Sequence, residues 1–189
     1  MRNQHRPKKE SHNQNHALQN LRAKCKDLSP NDRCRAMALG ARDMPDESAC
    51  RSACSDAVKA ARQETDMYRC VRLLREPIGT LLSRGLVADA DKLASFAIEL
   101  SDSVIPSNSR GEALLNLESI PGLDLKYRKM ILRRLFILID SKPGWRIARA
   151  CAYISRKFDQ EGESAFVDQL LSTCKNEWIL NRVQRDRLK

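Results

Sequence analysis

Residues 124–158 constrain the chain most, because they read as two helices placed back to back. The first half, DLKYRKMILRRLFILID, is the most apolar run in the sequence; the second, PGWRIARACAYISRKF, opens on Pro143-Gly144 and carries much of the positive charge. Projected at about 100° per residue, the first helix keeps only a narrow charged strip of Lys126, Lys129, Arg133 and Asp140. Leu125, Ile131, Leu132, Leu135, Phe136, Leu138 and Ile139 spread over roughly 160° of the remainder, wider than the stripe of an ordinary surface helix. Such a helix needs cover on more than one side. In the second helix Ile147, Cys151, Ile154 and Phe158 recur with helical period and make one buried face. Two helices joined across Ser141-Lys142, with a proline at the second start, run antiparallel. The stretch therefore predicts a helical hairpin with neighbours on both sides.

The rest of the chain reads in the same way. A short helix is expected over residues 17–26, and Ser29 before Pro30 is a cap-and-start signal for a helix that stops near Asp43. Ala49, Cys50, Ala53, Cys54, Ala57, Val58 and Ala61 share one side of the next helix, and small side chains of this kind let helices approach closely. Residues 66–74 form a further helix; Pro77 begins or kinks another, ended by Gly85. From Val87 an amphipathic helix presents Leu93, Phe96, Ala97 and Leu100. The next starts at Pro106 or Ser107 and runs to Ile120, where Pro121-Gly122 leads into the hairpin. Gly162 separates the hairpin from a last helical region, 163–188, in which Trp178, Ile179 and Val183 are expected to close the core. Residues 1–16 are polar and hold all three histidines, so they are expected to be a disordered basic tail. Residues 17–189 are expected to form a single all-α domain.

Three junctions share a pattern: Asp43 to Pro45, Asp102 to Pro106 and Asp140 to Pro143 each end an apolar helix and precede an early arginine (Arg51, Arg110, Arg146). Prolines at 45, 77, 106 and 143 fall 32, 29 and 37 residues apart, and periods near 30–40 are what stacked helical hairpins produce. Within residues 82–120, Gly85, Leu93-Ala94, Ala97-Ile98 and the run Arg110-Gly111-Glu112-Ala113-Leu114 complete a pattern that resembles the helical-hairpin repeats of bacterial α-solenoids, of the tetratricopeptide or HEAT-like kind. The resemblance implies stacked antiparallel hairpins, an α-solenoid-like all-α fold that binds partners along its surface. A compact, non-repeating helical bundle is the alternative.

The formal charge of +10 is unevenly placed. Residues 1–42 have ten basic and three acidic side chains, net +7, and residues 124–158 have ten and two, net +8. Residues 86–123, with two and six, are net −4. This asymmetry points to an acidic partner, whether protein, nucleic acid or anionic lipid. No apolar run approaches the roughly 18 residues of a membrane span. Seven scattered cysteines without a CxxC pair suggest a reducing, cytoplasmic setting.

Catalytic chemistry finds little support. No histidine follows His16, and there is no GxSxG, HExxH or Gly-rich phosphate loop. Asp89 and Asp91 suit a helix start, and Glu112 and Glu118 read as a solvated face. His12 and His16 would share a helix face without an acidic or thiol ligand nearby, so neither a metal nor a cofactor is expected. Cys50 and Cys54 stack on one helix face as small apolar residues; an enzyme or thiol-based sensor using them is a third reading.

The feature with most functional promise is a face of the second hairpin helix, where Arg146, Arg149, Tyr153, Arg156 and Lys157 fall within about 120° of arc. Arginine forks grip carboxylate or phosphate, and a tyrosine between them stacks or hydrogen-bonds. Lys126, Lys129 and Arg133 on the preceding helix extend this patch if the two strips align. The expected function is a non-catalytic scaffold or adaptor that binds another protein with an acidic surface. The alternative is a nucleic-acid-binding protein using the basic hairpin and the basic N-terminal tail.

Overall fold

The computed structural model describes the backbone of residues 8–142 and 144–187, with side chains from His16 onward. Those residues form an all-α structure of ten α-helices and one 3₁₀ turn, with no strand. The helices are α1 (Lys8–Cys25), α2 (Pro30–Arg42), α3 (Glu47–Ala61), α4 (Met67–Ser83), α5 (Val87–Leu100), α6 (Ser107–Glu118), α7 (Leu125–Ser141), α8 (Trp145–Gln160), α9 (Ser164–Thr173) and α10 (Glu177–Arg187). Neighbouring helices pack as in a helical repeat or bundle. Two compact units divide them, Met1–Ala94 and Ser95–Lys189, with the boundary inside α5.

In the first unit, α2, α3 and α4 pack on one another and α1 lies on α2 and α3. Ser29 caps α2 by accepting from the Asp32 amide at 3.2 Å. Asp46 does the same for α3 through the Ala49 amide, 2.8 Å, and Asp66 for α4 through Tyr68, 2.9 Å. Each cap satisfies an amide that the first helical turn leaves open. The small-residue face of α3 is buried: Ala49, Cys50, Ala53, Cys54 and Ala57 are all core, with Val58 half-buried. The helix α1 begins at Lys8, well before Ala17, and residues 1–7 of the expected tail, with His5, lie outside the described residues. The backbone at His12 is described as helical but its side chain is not, and His16 is exposed.

One sequence expectation fails at Pro77. Residues 67–83 are a single helix with Pro77 in its interior, where proline removes the amide that would reach the carbonyl of residue 73. That carbonyl accepts instead from the buried thiol of Cys34 on α2, at 3.7 Å. A second buried link joins the same helices, with Thr80 Oγ1 donating to the Ala38 carbonyl at 2.9 Å. The buried stripe of α5 is also displaced, to Ala90, Ala94, Ala97 and Ile98, leaving Leu93, Phe96 and Leu100 half-buried.

In the second unit the predicted hairpin is present. Asp124 caps α7 through the Lys126 amide, 2.8 Å. Arg128, near the start of α7, donates to Glu161, just past the end of α8, at 2.7 Å, so the two helices run antiparallel. The helix α7 also packs on α6, while α8 packs on α6, α7, α9 and α10. Ile131, Leu132, Leu135, Phe136, Leu138 and Ile139 are buried as expected; Leu125 is half-buried, and Tyr127 joins the core. Ile147, Cys151, Ile154 and Phe158 are all buried. Gly111 lets α6 approach α8, since a β-carbon there would meet Ile147 Cγ1 at 3.0 Å. After α8, Gly162 at φ +82° makes the left-handed turn that lets the Glu163 amide reach back to the Phe158 carbonyl, 2.8 Å.

The last helical region is two helices rather than one. The chain breaks at Cys174 to Asn176, where the Asp140 carboxylate accepts from the Lys175 amide at 3.2 Å and Asn176 caps α10 through Ile179, 3.3 Å. Ile179 and Val183 close the core as expected, but Trp178 is 51% exposed. Glu118 likewise departs from its expected solvated place. Its carboxylate is buried and accepts from Arg128 Nη2 at 3.1 Å and Lys157 Nζ at 3.2 Å. Two cations compensate the cost of burying it at the negative end of α6.

Candidate partner-binding face

The helix α8 has four helical neighbours, so most of its circumference is covered. Its buried residues run from Ala150 through Ile154, Ile147, Phe158 and Cys151 to Ala148 and Ala152, roughly 200° of arc at the helical period. What remains open is an arc of about 120° that holds Trp145, Arg156, Arg149, Tyr153, Arg146 and Lys157 in that angular order. Trp145 is 55% and Tyr153 46% exposed. Arg146 and Arg149 are exposed as well, and the stems of Arg156 and Lys157 are half-buried. Trp145 was not among the sequence-predicted site residues; its place one residue before Arg146, on the edge of the same arc, was the available signal.

The cations on this face differ in what they hold. Arg146 pairs with Glu112 of α6 at 3.3 Å and lies 5.5 Å from the centre of the Trp145 ring. Lys157 pairs with Glu118 and sits 4.8 Å from the Tyr153 ring centre. Among the described residues neither Arg149 nor Arg156 has a hydrogen-bond or ion-pair partner. They are two turns apart on one side of a helix, about 10 Å along the axis, with Tyr153 between them. Guanidinium forks pair with carboxylate or phosphate, and a tyrosine ring beside them stacks or hydrogen-bonds.

The strip on α7 takes different neighbours. Lys129 pairs with Glu163 at 2.7 Å and lies over the Phe166 ring of α9, as does Arg133. Lys126 lies over Tyr127 at 4.7 Å. Arg146 and Lys157 are tied instead to carboxylates of α6. These contacts draw Lys129 and Arg133 of α7 towards α9 and the paired cations of α8 towards α6.

The thiols are core groups. All seven cysteines are unpaired, and only Cys174 is not buried. Burial pushes the Cys34 and Cys54 thiols up to about 12, and it raises Cys50 and Cys151 in the same direction. Neutral thiols of this kind pack and donate weak hydrogen bonds but are poor nucleophiles. Among the described residues no cluster of three or more His, Cys, Asp or Glu side chains is placed to hold a metal ion, and no helix is long and apolar enough to cross a membrane.

Compared with known proteins, the chain matches no family, no curated protein and no solved structure.

Proposed function

We propose that the chain is a non-catalytic helical module that binds another protein through an acidic segment, with the outer face of α8 as the contact. The observation that carries this reading is the pair Arg149 and Arg156, unpaired on either side of exposed Tyr153 with Trp145 at the edge. Tryptophan, tyrosine and arginine are the side chains that most often dominate protein interfaces. Partner and unpaired cations supply opposite charges, which steer the encounter and fix its register. The reading places the chain in the cytoplasm, in keeping with seven free thiols.

Nucleic acid is the second reading, because Trp145 and Tyr153 beside arginines suit stacking on bases. It is the weaker of the two. Nucleic-acid affinity grows with the number of phosphates neutralised, whereas Arg128, Lys129, Arg134, Arg146 and Lys157 are each already paired with a carboxylate of the same unit.

The test compares what the wild-type chain and an Arg149→Glu/Arg156→Glu variant retain from cells that express the protein natively. The reading expects a protein with an acidic segment to be retained by the wild type, insensitive to nuclease, and lost from the variant. Equal retention by both, or loss of the retained material on nuclease treatment, would overturn it.

A further inference from the structure

A second surface of the same unit has the form of a docking groove. Along the open side of α7, Met130, Ile137 and Leu138 form an apolar floor, and Arg110, Arg133 and Arg134 stand around it. The groove has a volume of about 460 Å³. Ile137 is 69% exposed in the middle of an otherwise well-ordered helical pattern, and Ile105, on the loop just before α6, is 85% exposed. Met130 and Ile137 lie two turns apart on one side of α7, about 10 Å along the axis. Met130 is half-buried and Leu138 buried, so Ile137 is the side chain of this floor that stands open, inside a charged rim.

The rim has a definite sign. Asp102 is the carboxylate lining the groove, and it accepts from Arg134 at 3.3 Å. Arg110 donates its Nε hydrogen to the Val104 carbonyl at 3.2 Å, which leaves its charge uncompensated by that bond. Arg133 lies 5.0 Å from the Phe166 ring centre and has no carboxylate partner among the described residues. Three guanidinium groups against one carboxylate leave the groove net positive around an apolar floor. That combination rejects a basic peptide and a uniformly polar one, and it fits apolar anchors flanked by Asp or Glu.

We propose that this groove binds an acidic amphipathic helix from a partner protein, its apolar side chains resting on Met130 and Ile137 and its carboxylates on Arg110 and Arg133. Helix-in-groove recognition reads anchors at three- and four-residue spacing, and the two-turn separation of Met130 and Ile137 matches that register. The groove uses none of the α8 face residues, so it is a site beyond the one proposed above, and either can fail while the other holds.

The test selects peptides from a displayed random library against the full chain. The selected sequences are then measured by fluorescence anisotropy on the wild type, Ile137→Glu, Arg133→Glu and Arg149→Glu/Arg156→Glu. Because Ile137 and Arg133 are exposed, the variants should fold, which helical circular dichroism and the unfolding midpoint verify. The expected result is a class of peptides with apolar residues three and four apart and flanking Asp or Glu. Their affinity should fall at least tenfold with Ile137→Glu and about threefold with Arg133→Glu, and stay unchanged with the α8 reversal. The proposal is overturned if the enriched peptides are basic, if Ile137→Glu leaves affinity unchanged, or if only the α8 reversal weakens them. A wild-type dimer that Ile137→Glu turns into a monomer in sedimentation would also overturn it, by making the occupant a second copy of this chain.

Discussion

The thiol of Cys34 donates to the carbonyl of Leu73, the one acceptor that Pro77 leaves without its helical amide. The contact is 3.7 Å long, buried, and made between α2 and α4. Burial raises the Cys34 pKa to about 12, which keeps the proton on sulfur and the donor in place at neutral pH. A cysteine that looks like simple packing material thus sustains a proline in the middle of a core helix.

Cys34→Ala should therefore destabilise the chain by about 1–2 kcal/mol, from a small cavity together with an unsatisfied buried carbonyl. Pro77→Ala restores an amide to that carbonyl, so the thiol should matter less in its presence. Urea unfolding of the two single variants and the double variant should give a coupling of at least about 0.5 kcal/mol. Strict additivity would refute the link.

Glu118→Ala should cost about 3 kcal/mol, at the low end for breaking a buried ion pair, because Arg128 keeps Glu161 as a second partner. Unfolding in urea at neutral pH measures it. A cost below about 0.5 kcal/mol, the level of a surface pair, would mean that the carboxylate is not buried.

Asp159 accepts from Arg187 through both oxygens, and that hydrogen bonding, ahead of the opposing effect of burial, holds its pKa below the ordinary 3.8. A folded pKa below the unfolded one adds stability that is complete above the unfolded value and lost as pH falls through the folded one. The wild type should therefore lose more stability than Asp159→Asn on acidification from pH 5 to below 3.8. Parallel pH profiles for the two proteins would contradict this.

The thiols give a chemical check on burial. At pH 8 an excess of aromatic disulfide reagent should label Cys174 in the native chain, slowly because its own pKa is raised by burial. The other six should react only after denaturant is added, bringing the total to seven. Rapid native labelling of Cys50 or Cys54 would restore the thiol-sensor reading.

The sequence made legible whatever depends on neighbours a few residues away. The helical recurrence of Ile147, Cys151, Ile154 and Phe158 marks a face that is wholly buried, and Ser29 caps the helix it precedes. Partners far along the chain were not legible. Glu118 looks solvated until Lys157, 39 residues on, is brought to it, and Pro77 looks like a helix boundary until Cys34 supplies the missing donor. Hydrophobicity also misplaces Trp178, which was expected to close the core and is 51% exposed. On α8 the basic arc was readable from periodicity alone. Which of its arginines are free was not, because Glu112 and Glu118 come from another helix.

The most direct measurement replaces Tyr153 with a photo-crosslinking phenylalanine and irradiates cells that express the full chain. Tyr153 lies between Arg149 and Arg156, so whatever occupies the α8 face is the nearest target. The account predicts a crosslink to one protein, mapped by mass spectrometry to an acidic segment and abolished by Arg149→Glu/Arg156→Glu. Crosslinks to nucleic acid, or a protein crosslink that survives the charge reversal, would contradict it.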